Sequence, residues 1–147
     1  VLTGALAAAF VLAVCTASEP RPGSPAVAAA SRAAEARTQR EALDAYVAAE
    51  RATIPALLEQ VPGTYAGVAI DAVHPAGIAY TYTYAQQVDP EAAAASFATL
   101  EATLRGVCDA TLFPALARAG VTGSPSAAYT YVNADGATLW TRTFTAG

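Results

Sequence analysis

No lysine occurs anywhere in this chain; its eight basic residues are all arginine, set against twelve acids for a net charge of −4. The arginines are scattered singly. Such a chain gathers no positive patch able to neutralise phosphates, which excludes nucleic acid and anionic lipid headgroups as partners. Histidine is almost as scarce, with His74 the only one. A zinc site needs several His, Cys or acidic ligands, and one His beside one Cys outside the leader supplies no recognisable set. The two cysteines are Cys15 and Cys108. If Cys15 is acylated or removed, Cys108 has no partner and no disulfide framework exists. A glycine-rich phosphate loop is also missing, so no cofactor or metal is expected. No apolar run reaches the roughly 20 residues of a membrane-spanning helix.

What is present begins at the first residues. Val1 to Val14 carries no charge and is almost wholly apolar, and Cys15 follows it. A run of that length ending in small residues reads as an export signal outside the fold. No basic segment precedes it, so residues upstream of Val1 are expected. Leu12-Ala13-Val14-Cys15 is similar to a bacterial lipoprotein box, in which the Cys is acylated and becomes the mature N-terminus. Val14 departs from that pattern, where Gly, Ala or Ser is usual. Ordinary cleavage, for instance after Ala17, and an uncleaved anchor are the alternatives. The lipoprotein reading makes Cys15 the lipidation site and covalent lipid the membrane anchor. Alanine dominates the composition, a bias expected of GC-rich coding such as that of actinobacteria.

Residues 16–36, rich in Ala, Ser, Pro and Gly, read as a flexible tether. One α+β domain over 37–147 follows. Its first helix starts near Ala36, with Leu43, Val47, Ile54, Leu57, Leu58 and Val61 at helical spacing. Pro55 falls inside that run, so a kink or fresh start is expected near Thr53, which could cap the second piece. Residues 64–71 and 78–84 read as strands joined by a loop over Ala72–Gly77. Asp89-Pro90-Glu91 is a strong helix start, and the acids there answer to capping and dipole, not catalysis. The second apolar ladder is Phe97, Leu100, Leu104, Cys108, Leu112 and Leu116, again interrupted by a proline, Pro114, and stopped by Gly120. Strands at 127–133 and 138–144 close the chain around a two-residue Asp135-Gly136 turn.

The expected fold is therefore αββαββ: a four-stranded antiparallel sheet with two Pro-kinked helices on one face. Pro55-Ala56-Leu57 aligns with Pro114-Ala115-Leu116, and Ile78–Tyr84 with Thr138–Phe144. Either the two halves are an internal duplication or the match is coincidence in an Ala- and Thr-rich chain. The turn sets Tyr131 opposite Trp140, Tyr129 opposite Arg142 and Val132 opposite Leu139. One face then carries Tyr80, Tyr82, Tyr84, Tyr129, Tyr131, Trp140 and Phe144, and the other carries threonines. The aromatic face is expected under the helices, with the threonine face open. The alternative is an exposed tyrosine stripe acting as a binding platform. Arg142 shares the aromatic face and must reach the rim or pair with an acid.

Catalytic sets are not recognisable. His74 lies in a loop, and Asp71 is the only neighbour in sequence able to orient it. Cys108 belongs to the apolar ladder and reads as a buried, inert thiol. Asn133, Asp135 and Gly136 resemble a calcium loop only superficially; hairpin chemistry explains them.

The apolar leader with Cys15, GIAYTYTY, the helix ending in AGV and YTYVNADGATLWTRTF together resemble a family of small bacterial envelope lipoproteins known only as a domain of unknown function. The similar residues include Tyr131, Asn133, Asp135, Gly136, Leu139, Arg142 and Phe144. The resemblance implies an envelope location and carries over no catalytic residue. The expectation is an exported, lipid-anchored domain on the outer face of the membrane. Its role is non-catalytic binding of an unknown protein or small ligand. The alternatives are a secreted inhibitor or partner of another extracellular protein and a small hydrolase with an unrecognised site.

Overall fold

The computed structural model describes residues 23–147. Its first helix, α1, runs Pro25–Arg51, eleven residues earlier than Ala36. The tether reading is thus wrong from residue 25 onward; residues 16–22 lie outside the described residues. Ser24 caps the helix, its hydroxyl accepting from the Val27 N–H at 3.3 Å, and Pro25 takes the first helical position. Ser-Pro was therefore a start signal, and the alanines beyond it are the strongest helix formers. No amphipathic face is needed, because residues 25–38 are largely exposed. A second piece, α2 (Ile54–Gln60), begins with Pro55 in its first turn. Thr53 stands before it as expected but does not cap it. Its hydroxyl donates back to the Glu50 carbonyl at 2.8 Å.

The hairpin strands β1 (Tyr65–Val73) and β2 (Gly77–Tyr84) follow. Helix α3 (Pro90–Val107) starts where expected, with the Asp89 carboxylate accepting from the Glu91 N–H at 3.0 Å. A π-helical turn at Cys108–Leu112 links it to α4 (Phe113–Arg118). Pro114 has no N–H to donate and its ring crowds the preceding turn. That turn widens, and the Phe113 N–H bonds the Cys108 carbonyl five residues back. Gly120, at φ +93°, ends α4. Val121 N–H reaches Leu116 O at 3.0 Å and Gly120 N–H reaches Ala117 O at 3.1 Å, the paired bonds of a glycine-terminated helix. Among the described residues no helix is long and apolar enough to cross a membrane.

With β3 (Ser126–Val132) and β4 (Thr138–Thr145) the sheet has the order β1-β2-β3-β4. The fold is α+β with the expected αββαββ order. One expectation fails: the sheet is mixed, because β2 and β3 pair in parallel. The long helical crossover from β2 to β3 returns the chain to the same end of the sheet, which a parallel pair requires. Identical tetrapeptides, Ala79-Tyr80-Thr81-Tyr82 and Ala128-Tyr129-Thr130-Tyr131, lie side by side in register.

The second hairpin turn is also longer than expected. A two-residue Asp-Gly turn needs positive φ at both positions. Only Gly136 has it, at +88°, and Asp135 does not. Gly136 N–H closes a four-residue turn onto the Asn133 carbonyl at 2.9 Å. Tyr131 still faces Trp140 and Tyr129 still faces Arg142, but Val132 faces Thr138, the pairing slipping by one residue there. As for the duplication, Pro55 and Pro114 do occupy equivalent first-turn positions of α2 and α4. The hairpins are not spatial copies, however. Looking along β1 and along β3 with the helices above, the second strand lies on opposite hands, as the order with a parallel central pair demands.

The aromatic face is the buried one. Tyr80, Tyr129, Tyr131 and Phe144 are buried together with Leu43, Val47, Phe97, Cys108 and Leu116 from the helices. Helices α1 and α2 lie over β1, and α3 lies over β4. Trp140 is only half-buried, at the rim of this core. The opposite face stays open: Thr141 and Thr143 are exposed, and Thr130 and Thr141 share a hydrogen bond at 3.2 Å.

Candidate functional site

Cys15, the expected lipidation site, lies outside the described residues. Cys108 is fully buried, its S–H donating to the Tyr129 hydroxyl at 3.8 Å. Burial pushes its thiol pKa up, only partly countered by the Tyr129 hydrogen bond. A thiol held protonated in this way is a poor nucleophile, in keeping with an inert core role.

His74 does not meet Asp71. Its Nε2 stands 3.1 Å from Asp44 Oδ1, on α1, while Asp71 is taken by Arg51 at 2.6 Å. Gln39 adds a bond from α1 to the Pro75 carbonyl at 3.3 Å, so the β1–β2 turn is fastened to α1 at two points. These contacts explain His74 as a fastener.

Asn133 is a residue whose role the sequence reading missed. It is 1% exposed. Its Oδ1 accepts from the N–H groups of Val88 at 2.8 Å and Ala134 at 3.0 Å, and its Nδ2 donates to the Val88 carbonyl at 2.8 Å. Outside it, Gln87 donates to Asp135 at 2.9 Å, and Asp135 also accepts from the Ala137 N–H at 2.9 Å. The backbone bond from Ala137 and the Gln87 bond hold the Asp135 carboxyl below its usual pKa. The 133–137 turn is thereby welded to the segment that starts α3. Among the described residues no group of acids, His and Cys is arranged to hold a metal.

Four tyrosines, Tyr65, Tyr82, Tyr84 and Tyr131, cluster at one end of the aromatic face. Tyr65 lies 5.3 Å from both Tyr82 and Tyr84 by ring centroid, and Tyr82 stacks on Tyr131 at 4.9 Å. Burial, then the neighbouring phenols, pushes the Tyr65 pKa up to about 12. Three of the four are half-buried, so this cluster is the wet rim of the core and not a free-standing stripe.

A concave surface with both charged and apolar walls lies elsewhere, between α3 and β4. Ala98 and Ala102, four residues apart on α3, leave room above Phe144 for an open groove of about 520 Å³. Two arginines border it. Arg142 is held by Glu101, Nη2 to Oε2 at 2.8 Å, which realises the expected rim pairing with an acid. Arg105 lies over the Phe144 ring at 5.4 Å, donates to the Thr145 carbonyl at 2.9 Å and approaches Asp109 at 3.5 Å. The sequence held two clues to this site: an arginine on an otherwise aromatic strand face, and alanines four apart on a helix. Neither says that α3 lies over β4, so the groove itself could not be read. The chain matches no family model, no curated protein and no solved structure.

Proposed function

We propose that the chain is an exported envelope domain, anchored by lipid on Cys15, that binds a partner and does no chemistry on it. Membership of a family of small envelope lipoproteins is part of the same proposal. The observation that carries the export half is the uncharged Val1–Val14 run ending in the Leu12-Ala13-Val14-Cys15 box. The binding half is supported by the groove between α3 and β4, with guanidinium groups beside an apolar floor. It is supported also by the commitments of the reactive side chains. The one histidine is engaged by Asp44, and Cys108 is packed against Tyr129 with its thiol protonated.

The test is fractionation of wild type and Cys15→Ser expressed in the same bacterial host, with mass spectrometry of the N-terminus. Wild type belongs with the membrane and carries an acyl-modified Cys15, and Cys15→Ser leaves the membrane. An unmodified N-terminus beyond Cys15 with release into the medium would replace this reading by a secreted partner protein. Membrane retention of Cys15→Ser would point to an uncleaved anchor.

A further inference from the structure

The two edges of the sheet are not equivalent. At β1, Arg51 of α1 is already bonded to the strand. Its Nε–H donates to the Ile70 carbonyl at 2.6 Å and its Nη2 pairs with Asp71. Each edge strand has one register irregularity near an end, so it is this mid-strand arginine that sets β1 apart. It blunts the edge against further pairing. At β4 the side-chain bond to the backbone falls on Thr145, the last residue of the strand. Leu139–Phe144 carry no proline and keep a regular register from Trp140 onward.

Among the described residues no strand pairs with the outer side of β4, and this edge is also the one beside the groove. Arg142 and Phe144 point to the helix face of β4 and line it, opposite Ala98 and Ala102. A strand added to β4 would place every second side chain here. One would meet the Phe144 floor and the alanine wall, and another two residues along would meet Arg142. The other alternate positions would continue the threonine face. Two of the eight arginines border the groove, Arg105 beside Asp109 and Arg142 beside Glu101. Arg142 gives Glu101 only its Nη2, and among the described residues its Nε and Nη1 make no hydrogen bond, which leaves guanidinium donors for an acidic ligand.

From these facts we infer that β4 accepts an extended peptide segment by strand addition. The segment carries an acidic side chain for Arg142 and apolar side chains for the space between Ala98, Ala102 and Phe144. Main-chain bonds supply the affinity of such a complex and the alternate side chains supply its choice. The inference rests on the binding role proposed above and names the class of partner.

The probe is an acetylated, amidated heptapeptide. Its threonines alternate with one glutamate and two valines. Its counterparts carry lysine for the glutamate, or N-methyl groups on alternate amides. Processed protein from the host is titrated with each, and amide hydrogen exchange locates the bound site. The glutamate peptide should bind and slow exchange along Trp140–Phe144. N-methylation of the outward amides should abolish binding. Arg142→Glu should weaken the glutamate peptide by about tenfold and favour the lysine peptide. Ala102→Leu, at an exposed helix position, should weaken both without disturbing the fold. Protection on β1, indifference to N-methylation, or indifference to Arg142→Glu would overturn strand addition at β4. So would a concentration-dependent dimer that protects β4 and takes no peptide, which would give the edge to a second copy. Fractionation reads the anchor and the titration reads the β4 edge, so the two results are independent. Loss of the anchor reading would leave this titration unchanged, and failure here would leave the anchor standing.

Discussion

Tyr80 lies flat on Tyr129, their ring centroids 4.9 Å apart and their planes within 8°. Only a parallel pair in zero offset brings the two identical tetrapeptides into this arrangement, and Tyr82 repeats it on Tyr131 at 4.9 Å and 11°. Each such contact is worth about 0.5–1.5 kcal/mol beyond the area it buries. The stack therefore fixes the register of the central strands as well as filling the core. A slip by one residue would turn these rings into the threonine face.

The depth of each aromatic ring orders the cost of losing it. Phe97 and Phe144 are 4% exposed, whereas Trp140 sits at the rim, stacked on Phe97 at 5.5 Å. Phe97→Ala and Phe144→Ala should each destabilise by about 3–5 kcal/mol. Trp140→Ala should cost about half as much, and Thr141→Ala on the open face about 0.5 kcal/mol or less. Urea unfolding at equilibrium measures all four. A Trp140 cost equal to that of Phe97 would contradict its half-buried place.

Alkaline pH should unfold this protein through its phenols. Burial first, then neighbouring charge, pushes Tyr65 and Tyr46 up to about 12 from an ordinary 10.0. Tyr80, Tyr129 and Tyr131 are pushed higher still, mainly by burial. The native state keeps protons that the unfolded chain releases, so this stabilisation is whole below pH 10 and declines as pH climbs through 12. A near-ultraviolet phenolate titration checks it. The buried tyrosines should ionise only together with loss of the fold.

Asn133 should behave as a keystone for one corner of the molecule. Asn133→Ala leaves the Val88 N–H and C=O without their side-chain partners, at a cost of roughly 1–3 kcal/mol. Hydrogen exchange should speed up at Val88 and along the first turn of α3, and far less in β1. Uniform acceleration across the sheet would mean that the residue supports the whole core and not this corner.

Cys108 should be silent to a thiol reagent until the protein unfolds, since it is 0% exposed. The double variant His74→Ala, Cys108→Ala should retain peptide uptake at β4 unchanged, after a modest loss of stability. Loss of uptake by His74→Ala with circular dichroism intact would return attention to the β1–β2 turn.

The sequence reading succeeded where chemistry is local. Asp89-Pro90-Glu91 began a helix, two prolines broke helical runs, Gly120 ended one, and alternation assigned both faces of the sheet. It left Arg142 either to reach the rim or to pair with an acid, and Glu101 supplies that acid. It failed where direction or distance decides. Alternation is the same for parallel and antiparallel neighbours, so the central pair was missed although its repeated AYTY was in plain view. A stretch rich in Ala, Ser, Pro and Gly reads as a tether by composition, yet alanine needs no apolar face to be helical. The groove depends on α3 crossing β4, a tertiary fact with no local signature.

The early start of α1 alters what an anchor at Cys15 would do. Residues 25–38 are helical and largely exposed, and a helix rises about 1.5 Å per residue, or roughly 20 Å over that stretch. From Leu43 onward the same rod is clamped into the core. A lipid-held N-terminus would therefore reach the core through this projecting helix. The helix would act as a spacer, setting the sheet and its β4 edge back from the end of α1 that lies nearer the lipid.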